Sequence, residues 1–444
     1  MDLESQARLI RDAARFHPEW YRARYRDVAL LGMDPAAHYV KYGRALGRDP
    51  GRDFDTRHYL AHCPEAAASD LAPLAHYLLH GAARGHAPHP GGAAPHPVTQ
   101  LRMGAQYDAE ALRARDAGNP LATRADDFAL CRIIGNDLPP RHAPGQSRAN
   151  LRFVLENEPP LADCTRLWLL NRIIDPAEKA AILALLEAHG QPWLDIPFDP
   201  DAYRRIGWDD AALPADISRL GPAERFRLRL ALYRPRILYA MNNNGARNAA
   251  LAAGRARAKW VLPWDGNCFV TARAWAEITD AVRARPVLRH FAVPMQRMHA
   301  NAPLRRDRFD PDPREEPQLI FRADTPEHFA EAVPYGRRPK VELLWRLGMR
   351  GPWDDWTDDP WDLPRRPPAP EAGAYGVAGW VARMFSGMGA LERQDDAESY
   401  RARGRRREEA IAAAIDRLDA RLLPPDAPGP FPGETAARRG GRDD

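Results

Sequence analysis

Asp265 and Asn267 flank Gly266 at the end of an apolar run, Trp260, Val261, Leu262, Pro263 and Trp264. The run has the length of a buried strand, and strand ends in open α/β sheets are where ligands bind. A carboxylate and an amide oxygen two residues apart can face one hard cation, and a glycine between them lets the chain turn sharply. The same residues suit a plainer role, an Asx turn leading into the helix that begins after Thr271. Upstream, Asn242 to Gly245 is a polar turn. It opens an alanine-rich, arginine-studded helix from about Ala246 to Ala258.

Gly245-Ala246-Arg247-Asn248, a helix, an apolar strand and Trp264-Asp265-Gly266-Asn267 together resemble the nucleotide-sugar half of GT-A fold glycosyltransferases. The match is to the large family of inverting bacterial enzymes in which an Ala-Arg-Asn motif precedes an Asp-x-Asp motif. The resemblance implies a Rossmann-like α/β domain with a mostly parallel sheet. It implies transfer of a sugar from a nucleoside-diphosphate sugar to a hydroxyl acceptor of a cell-surface or secreted glycan. A divalent cation, manganese or magnesium, would be held by Asp265 with help from Asn267. Asn267 stands where the family has a second aspartate, so the charge offered to a cation is halved. Arg247, Asn248 and Asp265 would bind the donor, as would Asn136 in the Gly135-Asn136 turn and Asp175 after the second strand.

The resemblance also assigns Glu342, in a segment from Tyr335 to Gly348, as the base that deprotonates the acceptor. Its plainer role is a first-turn glutamate that favours the helix dipole. In that case the base is to be sought among Glu315, Glu316, Asp354 and Asp355. Asp175 before Pro176 is equally a helix N-cap, and Asn136 and Asp137 are turn formers before they are ligands. A second function of another class stays open: a non-catalytic domain that binds a nucleotide sugar or a glycan and acts as a scaffold in envelope polysaccharide assembly.

The elements that must position these residues follow from periodicity. Phe128 to Ile134, Leu167 to Ile174 and Pro192 to Phe198 read as strands, with helices at Asn150 to Glu156 and after Asp175-Pro176. Strand, helix, strand, helix, strand with short joints means a parallel sheet. Arg132 alone interrupts the first strand's apolar run. Asp199 to Ala240 is an insertion carrying Trp208 and a helix with Arg225, Arg227 and Arg229, whose charges suit a solvated face or a lid over donor phosphates. Further strands are expected at His290 to Met295 and Glu316 to Phe321. Trp353 to Asp362 is an acidic-aromatic cluster, suited either to sugar stacking or to a packed loop.

Residues 1 to 90 contain a repeat. Phe16, Tyr21, His38, Tyr39, Gly43, Gly47 and Pro50 recur 38 positions later as Phe54, Tyr59, His76, Tyr77, Gly81, Gly85 and Pro88. Units of this size are usually stacked helical pairs, and the pattern is similar to repeats that accompany bacterial glycosyltransferase domains. His38 and His76, each before a tyrosine, read as packing residues, and Gly43 as a helix stop. A linker is expected at 91–125, with a short helical stretch near Tyr107 to Arg115, then the α/β domain at 126–365, a helical extension at 366–422 and a disordered tail at 423–444.

The net charge of +4 on 444 residues gives no reason to expect a nucleic-acid partner. Four scattered cysteines suggest a reducing compartment and no zinc site. No apolar run approaches membrane-spanning length, so the expected location is cytoplasmic or peripheral to the inner membrane.

Overall fold

The computed structural model describes residues 1–11, 13, 15–51, 54–88, 107–139, 142–213, 217, 220–306, 309–351, 353, 362–363, 366–385, 397–431 and 434–435. Residues 91–106 of the expected linker, most of the 353–362 cluster and Arg308 lie outside them. The chain divides into two units. One comprises Met1–Tyr107, Gly348–Pro360 and Pro370–Ala374, and the other comprises Asp108–Leu347, Trp361–Ala369 and Tyr375–Asp444.

The larger unit is α/β, built on a mostly parallel sheet. In chain order its strands are β1 (Phe128–Ile134), β2 (Cys164–Asn171), β3 (Trp193–Ile196), β4 (Trp260–Asp265), β5 (Cys268–Phe269), β6 (His290–Arg297), β7 (Glu315–Arg322), β8 (Gly376–Val377) and β9 (Val381–Arg383). Their spatial order is β3-β2-β1-β4-β7-β6-β9-β5, with β8 beside β6. The first four strands are parallel, and β7 runs antiparallel to β4. The helix Asn243–Arg255 covers one face, burying Ala250 against Ala129, Cys131, Leu167 and Leu169. Gly254 is needed there, because a Cβ would lie 2.2 Å from Val261.

β4 and β7 pair only at Trp260–Arg322 and Val261–Phe321. Continued, that register would set Pro263 opposite Leu319. Proline has no N–H to give to a ladder. The Leu319 carbonyl is taken instead by Trp264 Nε1, at 2.8 Å. One residue further, Gln318 Nε2 donates to Asp265 Oδ2 at 3.1 Å. Side chains thus replace backbone pairing where the parallel block meets the antiparallel one.

Several expected boundaries shift. Within 91–125 the expected short helix is present as Ala109–Arg115, and Pro120–Thr123 is helical as well. Asp116 after the first of them forms a two-pronged ion pair with buried Arg322, 2.7 Å on each side. The stretch after 366 contributes β8 and β9 to the sheet before the helix Ala397–Leu422. That helix packs on the Asp199–Ala240 insertion through Tyr203 Oη, which donates to Asp419 at 2.8 Å, and through a buried Arg236–Asp419 pair. The tail is packed at Phe431, which is buried against Leu228 and Leu232. Arg225 and Arg229 lie over its ring, and Arg229 pairs with Glu434 at 2.8 Å. Those arginines hold the tail, and the expectation of disorder from 423 onward fails at these residues. No helix among the described residues is long and apolar enough to cross a membrane.

In the smaller unit the matched residues make matched contacts. Tyr21 Oη meets His38 Nδ1 at 3.1 Å, and Tyr59 Oη meets His76 Nδ1 at 2.8 Å, all four buried. Gly43 does not stop its helix: it ends a π-helical turn, Tyr39–Gly43, and Arg44–Leu46 continues as helix, whereas Gly81 ends the matching turn Tyr77–Gly81 and no helix follows. A Cβ on Gly43 would meet the Tyr39 ring at 2.4 Å, and one on Gly81 the Tyr59 hydroxyl at 2.1 Å. The left-handed stops are Gly47 and Gly85, with φ of 58° and 74°.

Candidate functional site

Asp265 ends β4, next to β1, at the edge where the parallel strands finish. Gly266 follows in a conformation open to any residue. Its necessity comes from proximity, since Gly266 N donates to Ile133 O at 2.9 Å and a Cβ would sit 2.5 Å from that oxygen. The turn is thus pressed against β1. Behind it, buried Arg132 donates through Nε to Cys268 O at 3.1 Å and pairs with buried Glu158. Glu158 also accepts from Val270 N at 2.8 Å. The arginine that interrupts β1 therefore anchors both sides of the segment after Asn267.

The carboxylate of Asp265 is held on both oxygens. Arg247 Nη2 donates to Oδ1 at 2.9 Å, and Gln318 to Oδ2. Burial pushes its acidity toward the neutral form. Arg247, the ammonium of Lys340 and the Gln318 hydrogen bond outweigh it and hold the carboxyl well below the usual carboxylate range. Its side chain nevertheless keeps 36% exposure, beside an Arg247 that keeps 6%. Lys340, 4% exposed, also pairs with Glu316 Oε1 at 3.2 Å, and Glu316 keeps 31% exposure. Glu315 is taken by Arg297, at 2.9 and 2.6 Å, and by Arg383 at 3.1 Å. Arg383 feels Glu315, Asp265, Tyr335 and Glu316, so these groups share one strand-end cluster of both signs.

The expected residues divide into those brought to this cluster and those placed elsewhere. Arg247 is at the cluster, as a positioning partner of Asp265. Asn248 is committed instead to the loop after β7: its side chain bonds Phe329 N and O and Glu331 Oε1 at 2.8–3.0 Å. Asn136 latches β1 to the turn after β2, donating to Arg172 O at 2.7 Å and accepting from Ile174 N at 2.9 Å. Asp175 is exposed and caps its helix through Ala177 N at 2.8 Å, the plainer of its two roles. Asn267 accepts from Met384 N through its backbone carbonyl at 2.9 Å.

Glu342 departs most from expectation. Both its oxygens are held by Arg366, each at 2.7 Å, and the residue is buried. In this structure it ties the helix Pro339–Arg346 to the segment containing Arg366. The helix does reach the strand-end cluster, but through Lys340. Two residues along a helix are about 200° apart in azimuth, so Lys340 and Glu342 face different ways. Lys340 and Gln318 were not singled out from sequence as partners of Asp265. The register of β7 against β6 shifts by one residue between Glu315 and Gln318, so simple alternation along the strand does not place these side chains.

Asp265 offers a cation one carboxylate, and Asn267 follows two residues on, its backbone carbonyl taken by Met384 N. Among the described residues no group of three His, Cys, Asp or Glu is placed to hold a metal ion. Such a partial donor set suits a cation that brings further oxygens with it, as a phosphate-bound cation does. Cys131 and Cys268 are not nucleophiles: burial pushes both thiols up to about 12.

No family model matches the chain, and no curated protein matches it. Among solved structures, the mannosyltransferase PcManGT from Pyrobaculum calidifontis, in complex with GDP-Man and Mn2+, is similar at 12% identity. The match covers 70% of this chain and 82% of that one, with a TM-score of 0.29, and no residue role follows from a likeness so slight.

Proposed function

We propose that the chain is a glycosyltransferase that takes a sugar from a nucleoside-diphosphate donor and passes it to a hydroxyl acceptor. The observation that carries this is the placement of Asp265. It is a partly exposed carboxylate at the end of the central parallel strand, held on both oxygens where β4 and β7 part. Open α/β sheets bind ligands beyond their strand ends, where the strand order turns. The Ala-Arg-Asn motif supports the reading through Arg247, which fixes the carboxylate.

Arg247 and Lys340 supply positive charge beside Asp265, so a diphosphate at this edge meets cations fixed in advance. Asp265 and Asn267 would hold a divalent cation that arrives with the donor's phosphates. When bound, that cation neutralises charge on the departing diphosphate. Asn267 offers no net charge, so its hold on metal is weak and Asn267→Asp should tighten it.

The test is release of nucleoside diphosphate from a panel of UDP-glucose, UDP-N-acetylglucosamine and GDP-mannose, with and without manganese. Release from one donor that Asp265→Ala abolishes supports the enzyme. Donor binding without release by the intact chain favours the non-catalytic scaffold.

A further inference from the structure

An acceptor hydroxyl must lose its proton as it attacks, and the residue expected to take it is locked in an ion pair on another side of its helix. The carboxylates at the strand ends differ in what they have left to offer. Glu342 has both oxygens on Arg366. Glu315 has both on Arg297, with Arg383 as a further partner. Asp265 is held on both oxygens and sits among cations that make it a poor proton acceptor. Asp354 and Asp355 lie outside the described residues.

Glu316 is different. It lies near the start of β7, two residues before the Gln318 that touches Asp265, where the register with β6 shifts by one residue. Lys340 holds its Oε1 at 3.2 Å, and among the described residues no partner holds Oε2. The side chain is 31% exposed, so a substrate can reach it, whereas the lysine that orients it is buried. The buried ammonium acts on Asp265 as well as on Glu316, which joins the donor-side and acceptor-side carboxylates through one group.

We infer that Glu316 is the base that activates the acceptor, an inference that rests on the donor reading proposed above. The acceptor O–H bond breaks and its proton passes to Glu316 Oε2. The acceptor oxygen bonds to the anomeric carbon on the face opposite the diphosphate. The bond from that carbon to the phosphate oxygen breaks, its electron pair leaving with the nucleoside diphosphate. Glu316 then returns the proton to water. Lys340 is a positioning residue in this scheme: it fixes the angle of the carboxylate.

The test compares the full chain with Glu316→Gln and Glu316→Asp, using the donor that the panel identifies and water as the acceptor. Glutamine keeps an oxygen for Lys340, so the fold and donor affinity should hold, the latter within about twofold. Nucleoside-diphosphate release should fall by roughly 10²–10⁴-fold, and the acidic limb of the pH–rate profile should vanish. Glu316→Asp should retain more rate than Glu316→Gln. Release by Glu316→Gln at the wild-type rate, or with an unchanged acidic limb, overturns the assignment while leaving the donor reading intact. If glutamine lowers the melting temperature, the Glu316→Asp profile decides, and an acidic limb unmoved from wild type overturns it. If the wild-type chain binds no donor of the panel, the donor reading falls and this assignment with it.

Discussion

Removing Arg132 should loosen the whole segment behind Asp265. The side chain is 1% exposed and its partner Glu158 is 0% exposed, so Arg132→Met strands a buried carboxylate and leaves Cys268 O without its 3.1 Å donor. Removing one partner of a buried pair costs about 3–5 kcal/mol, mostly for the charge left behind. Glu158 has a second cation nearby, Arg166 at 3.6 Å, which puts the expected cost at the lower end, about 3 kcal/mol. A domain of this size loses roughly 2–4 °C of melting temperature per kcal/mol, so a drop of roughly 6–12 °C is expected by calorimetry. Arg132→Met with Glu158→Gln removes the stranded charge but keeps an oxygen for Val270 N, and should regain about half the loss. A single variant that melts within a degree or two of wild type would refute the reasoning. So would a double variant as unstable as the single.

Gly266→Ala should cost about 1–3 kcal/mol by overpacking against Ile133 O and should weaken donor affinity, read by denaturation and titration together. The smaller unit should soften as pH rises. Burial pushes Asp49 up to about 7, with Thr56 N pulling the other way and Asp55 adding to the rise. An acid whose folded value lies above its unfolded value of about 3.9 contributes stability that is full below pH 4 and lost as pH climbs through 7. Asp49→Asn should therefore match wild type near pH 4 and gain on it up to pH 8. Melting and amide exchange over residues 17–88 would show this, and a difference that does not change with pH would contradict it.

Strands β1, β2, β3, β4, β6 and β7 and the Asp265 turn were legible because each rests on local pattern: an apolar run, a proline, a glycine; the two- and three-residue strands β5, β8 and β9 were too short to show one. The partners were not, because pairing is set by the fold. Arg132 stood out as the one break in an apolar strand, but nothing local pointed to Glu158, 26 residues on, as its partner. Gly266 was legible as required, but its reason, contact with β1, needed the sheet. The segment from Tyr335 to Gly348 was rightly read as containing a helix. Which of its side chains reaches the strand ends depended on azimuth, and the structure puts Lys340 there and turns Glu342 to Arg366.

The central claim is that Asp265 marks a nucleotide-sugar site, and donor binding tests it most directly. A thermal-shift titration of UDP-glucose, UDP-N-acetylglucosamine and GDP-mannose, each with and without manganese, reads it on the intact chain. One donor at about a hundredfold over its dissociation constant should stabilise the fold by about 2.7 kcal/mol. The gain should disappear in Asp265→Ala and persist in Glu316→Gln. No shift with any donor, or a shift that Asp265→Ala leaves unchanged, would contradict the account.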